Sequence, residues 1–167
     1  MKFPMEGIFD EAENRYLKPE ELRDIKQYVA SLPARMTTYR TIRDQEVTLV
    51  QTVVDELQID LPDVEMVALE RSVKNAMLGL RYCAIAMLTN NERLIQTQFL
   101  PWLRESVQLH ETSVIDVALF QRLKHHLRLA LNPQQMALFE PFLTLVEAVI
   151  PVQEEEKEEM LTLAGMF

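Results

Sequence analysis

Apolar residues in this sequence recur at three- and four-residue intervals in segment after segment, and they nowhere sustain the two-residue alternation of a half-buried strand. That periodicity confines the chain to helices packed on helices. Lys18-Pro19-Glu20-Glu21 opens the first: proline suits the first helical position, and the glutamates favour the positive end of the helix dipole. Leu22, Ile25, Tyr28, Val29 and Leu32 follow at helical spacing, and Pro33 is expected to end or bend the element. A second helix is expected from Ala34 to about Leu57, with Val47, Val50, Val54 and Leu57 on one stripe. Leu61-Pro62-Asp63 marks a break.

The stretch from Val64 to about Thr89 is the most apolar, and Val67, Val73, Met77, Leu80, Ala84 and Met87 suit a mostly buried helix. Asn90 and Asn91 can close it, since asparagine tolerates the left-handed cap. Residues 92–110 form another helix, in which Pro101, beside the single Trp102, is expected to start a turn or kink the element. Ser113 or Asp116 is expected to cap the segment carrying Val117, Leu119, Phe120, Leu123 and Leu127. Asn132 as N-cap and Pro133 at the first helical position open the last strong helix, which Pro151 is expected to stop. The glutamate-rich tail beyond it is expected to be solvated, with Met160, Leu161 and Leu163 able to dock as a short helix. The count is seven or eight helices in one all-α domain spanning 1–167, packed like a globin or an irregular bundle.

The apolar fraction of 48% and only three glycines fit a folded chain, and 167 residues suffice for one domain with its own core. A net charge of −9 repels phosphate backbones, so no nucleic acid is expected as partner. No apolar run approaches the roughly 20 residues needed to span a bilayer, and no transmembrane segment is expected. No signal peptide is read at the start, where Pro4 and Glu6 interrupt any apolar run. A single cysteine, Cys83, cannot form an intrachain disulfide, and a cytoplasmic setting is expected.

Motifs of catalysis are missing: no glycine-rich phosphate loop, no HExxH, no CxxC and no nucleophile elbow. His125 and His126 are adjacent and so point about 100° apart on a helix, which suits surface residues better than a shared metal. Cys83, within Tyr82-Cys83-Ala84-Ile85-Ala86, reads as a small buried hydrophobe. No catalytic residue, metal or cofactor is expected, and the chain is expected not to be an enzyme.

The run Ala12-Glu13-Asn14-Arg15-Tyr16-Leu17-Lys18-Pro19-Glu20-Glu21-Leu22 resembles the start of phycocyanin and allophycocyanin subunits. Ile25-Lys26-Gln27-Tyr28-Val29, Ala34-Arg35, Gly79-Leu80-Arg81-Tyr82 and Leu103-Arg104-Glu105 continue the resemblance in order, and it weakens after residue 115. It implies a globin-like phycobiliprotein fold with two extra N-terminal helices. In that family a cysteine-leucine-arginine-aspartate signature holds an open-chain tetrapyrrole: the cysteine makes the thioether, the arginine meets a propionate, and the aspartate takes hydrogen bonds from pyrrole nitrogens. Counted back from Tyr82, those places hold Ser72-Val73-Lys74-Asn75. Ser72 lacks the thiol, Lys74 lacks arginine's planar fork, and Asn75 lacks the carboxylate charge. Only eight residues separate Asp63 from Ser72, shorter than the loop that covers the pigment in coloured relatives. Cys83, eleven residues on and about 16 Å along a helix, is a poor replacement. The bilin-site positions are therefore degenerate.

The assembly surface that the resemblance implies is better kept. An acidic residue of the N-terminal arm meets an arginine of the partner's central helix in that family, and Glu11 and Arg81 occupy those places. With Tyr16, Leu22 and Ile25 they are the expected interface of a homodimer, residues 18–33 being the dimerisation region. The implied function is a colourless, non-enzymatic protein acting through contacts in phycobilisome assembly, structure or regulation, with phycobilisome or other antenna-related proteins as partners. Those partners would hold it at the cytoplasmic face of thylakoids. The alternative is a noncovalent carrier or sensor of a tetrapyrrole or small hydrophobic ligand, with Lys74, Asn75, Arg81 and Tyr82 lining a reduced pocket.

Overall fold

The computed structural model describes Gly7 and residues 14–150 of the chain. Five helices account for nearly all of residues 14–150, and no strand occurs among the described residues. The first, α1, runs unbroken over Pro19–Asp60 for 42 residues. It starts where Lys18-Pro19-Glu20-Glu21 placed it, with Pro19 in the first turn, and side-chain bonds that the sequence reading did not anticipate secure that start. The Glu21 carboxylate accepts the Lys18 backbone N–H at 2.7 Å and both arms of the Arg15 guanidinium at 2.7 and 2.9 Å. Those donors, Arg15 first, hold its pKa down to about 2.

Pro33 does not end this helix, contrary to expectation, and no second segment begins at Ala34. The missing N–H leaves the Val29 carbonyl without its helical donor, a defect that costs about 3 kcal/mol in a helix interior. The helix is unbroken across the proline, with tertiary bonds to the end of the next helix on both sides of it. Tyr28 Oη donates to Leu88 O at 3.0 Å. Arg35 donates through Nη1 to Met87 O, through Nε to Ser31 Oγ at 2.8 Å, and through Nη2 to Asn90 Oδ1 at 3.5 Å. Residues 18–33 are thus mostly the opening turns of α1, not a separate helix. Any further N-terminal helix would fall in residues 1–13, which, apart from Gly7, lie outside the described residues, as does Glu11.

After the turn around Pro62 and Asp63, α2 covers Met66–Thr89 and packs against every other helix. Asn90 closes it in the left-handed conformation, φ 50°, as its type suggested. Val67, expected in the core, is exposed, whereas Leu80, Cys83, Ala84 and Met87 are buried. The third helix, α3, is one rod in three parts: Glu92–Leu94, a π-helical turn at Ile95–Phe99, and Leu100–His110. Pro101 offers no N–H to Thr97 O, and the Leu100 N–H bonds Ile95 O instead, so the ladder widens by one residue just before the proline. Helix α4 spans Ser113–Ala130 and α5 spans Pro133–Glu147. Asn132 caps α5 reciprocally with Gln135, at 2.8 and 3.0 Å, with Pro133 in the first turn. The cap position of α4 is Thr112, not Ser113 or Asp116. Pro151 and the tail lie outside the described residues.

The core is a single cluster that includes Leu80, Met87, Ile95, Phe99, Leu103, Leu119, Leu123, Phe139 and Leu143. Gly79 lets α2 and α3 close on each other: a β-carbon there would stand 3.1 Å from Phe99 Cζ. No helix among the described residues is long and apolar enough to cross a membrane.

Candidate functional site

The three degenerate positions sit on one turn of α2, and the helix turns them to different surroundings. Ser72 is fully enclosed, 0% exposed, and Asn75 is buried beside it, while Lys74 is exposed. Asn75 Nδ2 donates to Ser106 Oγ of α3 at 3.3 Å. Beyond Ser72 lies a buried carboxyl that sequence reasoning treated only as a cap, Asp116 of α4. Its Oδ2 accepts from Thr112 Oγ1 at 2.6 Å, while Asp116 Oδ1 and Ser72 Oγ have no hydrogen-bond partner. Burial pushes the Asp116 carboxyl above the usual range; the Thr112 hydroxyl pulls the other way, and so does the nearby Ser72 hydroxyl, which falls short of hydrogen-bond geometry. A signal for this was in the sequence: position 116 lies on the same stripe as Leu119, Phe120 and Leu123, the face of α4 that the core takes.

The side of α2 that bears Ser72 and Asn75 is therefore a closed polar contact between α2, α3 and α4. Lys74, Asn75, Arg81 and Tyr82 do not line one pocket. Tyr82 stacks on Phe99 with ring centres 5.1 Å apart, and Phe99 in turn packs against Trp102 at 5.9 Å. Arg81 grips Glu46 of its own α1 in a two-pronged pair, Nε to Oε1 at 2.8 Å and Nη2 to Oε2 at 3.0 Å. Consecutive helical residues diverge by about 100°, which explains why neighbours in sequence serve separate contacts.

Cys83 is also fully enclosed, 0% exposed, with Sγ 3.5 Å from Phe142 O. Burial pushes its thiol well above the ordinary cysteine range, so the thiolate that thioether chemistry needs is disfavoured. His126 is half-buried and bonds Glu56 of α1 at 2.9 Å, and exposed His125 lies edge-on to it. Among the described residues no group of three or more His, Cys, Asp or Glu side chains is placed to hold a metal.

The N-terminal half of α1 is a different kind of surface. Tyr16, 98% exposed, precedes it, and Leu22, 54% exposed, begins a row continued by Ile25, Val29, Leu32 and Met36. The row advances in alternating steps of three and four residues, the spacing by which one helix seats along another. Tyr28 and Arg35 turn away from it to hold α2. Lys18, Lys26, Arg40 and Arg43 are exposed on or beside the row's side of the helix, by helical angle.

No curated protein matches the chain. A family model described as phycobilisome protein matches residues 10–149, which takes in α1 to α5.

Proposed function

We propose, for a chain that belongs to the phycobilisome protein family, a non-enzymatic role carried by protein contacts and without a covalent pigment. The observation that carries this reading is the closure of two of the three pigment positions: Asn75 is buried, and Ser72, at 0% exposure, has no thiol and is shut in. Helices α2, α3 and α4 meet through Ser72, Asn75, Ser106 and Asp116 where a tetrapyrrole would need room. The chain acts as one domain in the assembly, structure or regulation of the antenna, in the cytoplasm and at thylakoids through its partners.

The working form is a homodimer paired through the N-terminal half of α1, with Tyr16, Leu22 and Ile25 in the contact. Charge supports the pairing. Residues 14–43 carry seven Lys or Arg and three Asp or Glu, against a net charge of −9 for the chain. Residues 1–13 carry four Asp or Glu and one Lys, so the arm of one copy complements the α1 face of the other, Glu11 meeting Arg81. In that arrangement Arg81 joins an acidic pair, Glu46 of its own chain and Glu11 of the second copy.

Two measurements test the reading. Co-expression with a bilin-producing pathway should yield protein without visible absorbance; absorbance that stays on the denatured chain would overturn it. Sedimentation should report twice the chain mass, and Arg81→Glu should halve it. Because that substitution also sets a carboxylate against Glu46, Leu22→Glu, on the exposed row, is the second variant expected to give monomer.

A further inference from the structure

A groove of about 410 Å³ runs between the C-terminal half of α1 and the N-terminal half of α2. Val47, Val50 and Val54 form one wall, and Met66, Val73 and Met77 form the other. Val47 is 72% exposed and Met66 57%, so this apolar lining faces water. The groove lies on the side of α2 opposite Ser72 and Asn75, whose surroundings are α3 and α4. Of the three degenerate pigment positions only Lys74 borders it, Ser72 and Asn75 being enclosed on the other side of the helix, and its occupancy does not depend on how α1 pairs.

Four polar residues border it: Gln51, Gln58, Glu70 and Lys74. Gln51 is engaged with Asp55 at 2.8 Å. Lys74, Glu70 and Gln58 have no hydrogen bond or ion pair among the described residues, although Glu70 stands one helical turn before Lys74. An apolar trough of this size with few polar groups at its edge has the make-up of a small-molecule site. A lysine there lays its methylene stem along the trough and presents its ammonium at the mouth.

We propose that the α1–α2 groove binds a single-chain amphiphile carrying one carboxylate, its hydrocarbon along the valine and methionine walls and its head at Lys74 Nζ. Gln58 supplies an amide donor for the second carboxylate oxygen. Glu70 sets the charge limit: one ammonium beside one carboxylate suits a monoanion, and a dianionic head would meet repulsion from Glu70 with no second cation to offset it.

The test titrates the full chain with dodecanoate below its micelle concentration, followed by calorimetry, with dodecanol and dodecyl phosphate alongside. Dodecanoate should saturate at one per chain and bind more tightly than either comparison ligand. Lys74→Met should weaken dodecanoate at least tenfold and leave dodecanol unchanged. Val47→Asp, at an exposed wall position, should abolish binding of both while the melting temperature holds. The proposal fails if dodecanoate does not saturate, if dodecanol or dodecyl phosphate binds as well, or if either variant binds as the parent does. Sedimentation of Lys74→Met reads the α1 pairing separately, so loss of the ligand site and loss of the dimer are distinguishable.

Discussion

Asp116 is the residue whose chemistry is most at odds with its place. Its carboxyl is buried with one hydrogen bond where an ionised group usually gathers several. Its folded pKa is raised above the unfolded value of 3.8, so the fold favours the protonated form. The sign follows: Asp116 weighs least on stability below the unfolded pKa. It becomes a growing burden as pH rises toward the folded pKa, and is constant above it. Asp116→Asn keeps an acceptor for Thr112 Oγ1 and adds an amide donor toward Ser72 Oγ. It should raise stability at pH 7 by about 1–3 kcal/mol, the cost of a buried polar group left unpaired. In urea unfolding across pH the two proteins should converge near pH 3, and a variant less stable than the parent at pH 7 would contradict the account.

At the scale of elements, α1 and the α2–α3 contact each carry a defect or a constraint that other contacts offset. Pro33 removes a helical hydrogen bond, and the bonds of Tyr28 and Arg35 to the end of α2 keep the helix continuous. Pro33→Ala restores the missing donor without touching those bonds. It should stabilise the protein by about 1–3 kcal/mol, less than the full helix-interior penalty because the fold already accommodates the proline. The shift should appear as a higher urea midpoint with an unchanged slope. Gly79→Ala works in the opposite direction. Its β-carbon would press on the Phe99 ring, which is held by Tyr82 and Trp102, and overpacking of this kind costs about 1–3 kcal/mol. A melting temperature at or above the parent's would show that Phe99 can move aside.

For the whole molecule, uneven charge matters more than net charge. The basic residues of the α1 half and the acidic residues of the first thirteen positions are opposite in sign within one chain, and the proposed pairing of two copies would bring them together. Exposed charges are screened over about 8–10 Å at physiological salt. The dimer dissociation constant should therefore rise severalfold between 50 and 500 mM NaCl, in sedimentation equilibrium (order-of-magnitude range). An affinity that holds or tightens with salt would assign the contact to the apolar row alone.

The amino-acid sequence by itself determined what rests on neighbours in the chain. The helix start at Lys18-Pro19, the Asn90 cap and the Asn132 cap are closed by bonds within a few residues, and each position was legible without tertiary information, though the reciprocal bond from Gln135 was not named. The apolar stripes likewise marked α2, α4 and α5, and the apolar surroundings of Cys83 announced its burial. The substitutions at Ser72, Lys74 and Asn75 were visible once the family resemblance supplied a register. Tertiary structure alone decided the rest, because the deciding partners are distant in sequence. Pro33 is carried through by residues 87–90, Arg81 is claimed by Glu46, and Asp116 is enclosed between helices that begin more than forty residues apart. A local pattern states which face of a helix is apolar, but which polar group is shut inside depends on the helix that packs over it.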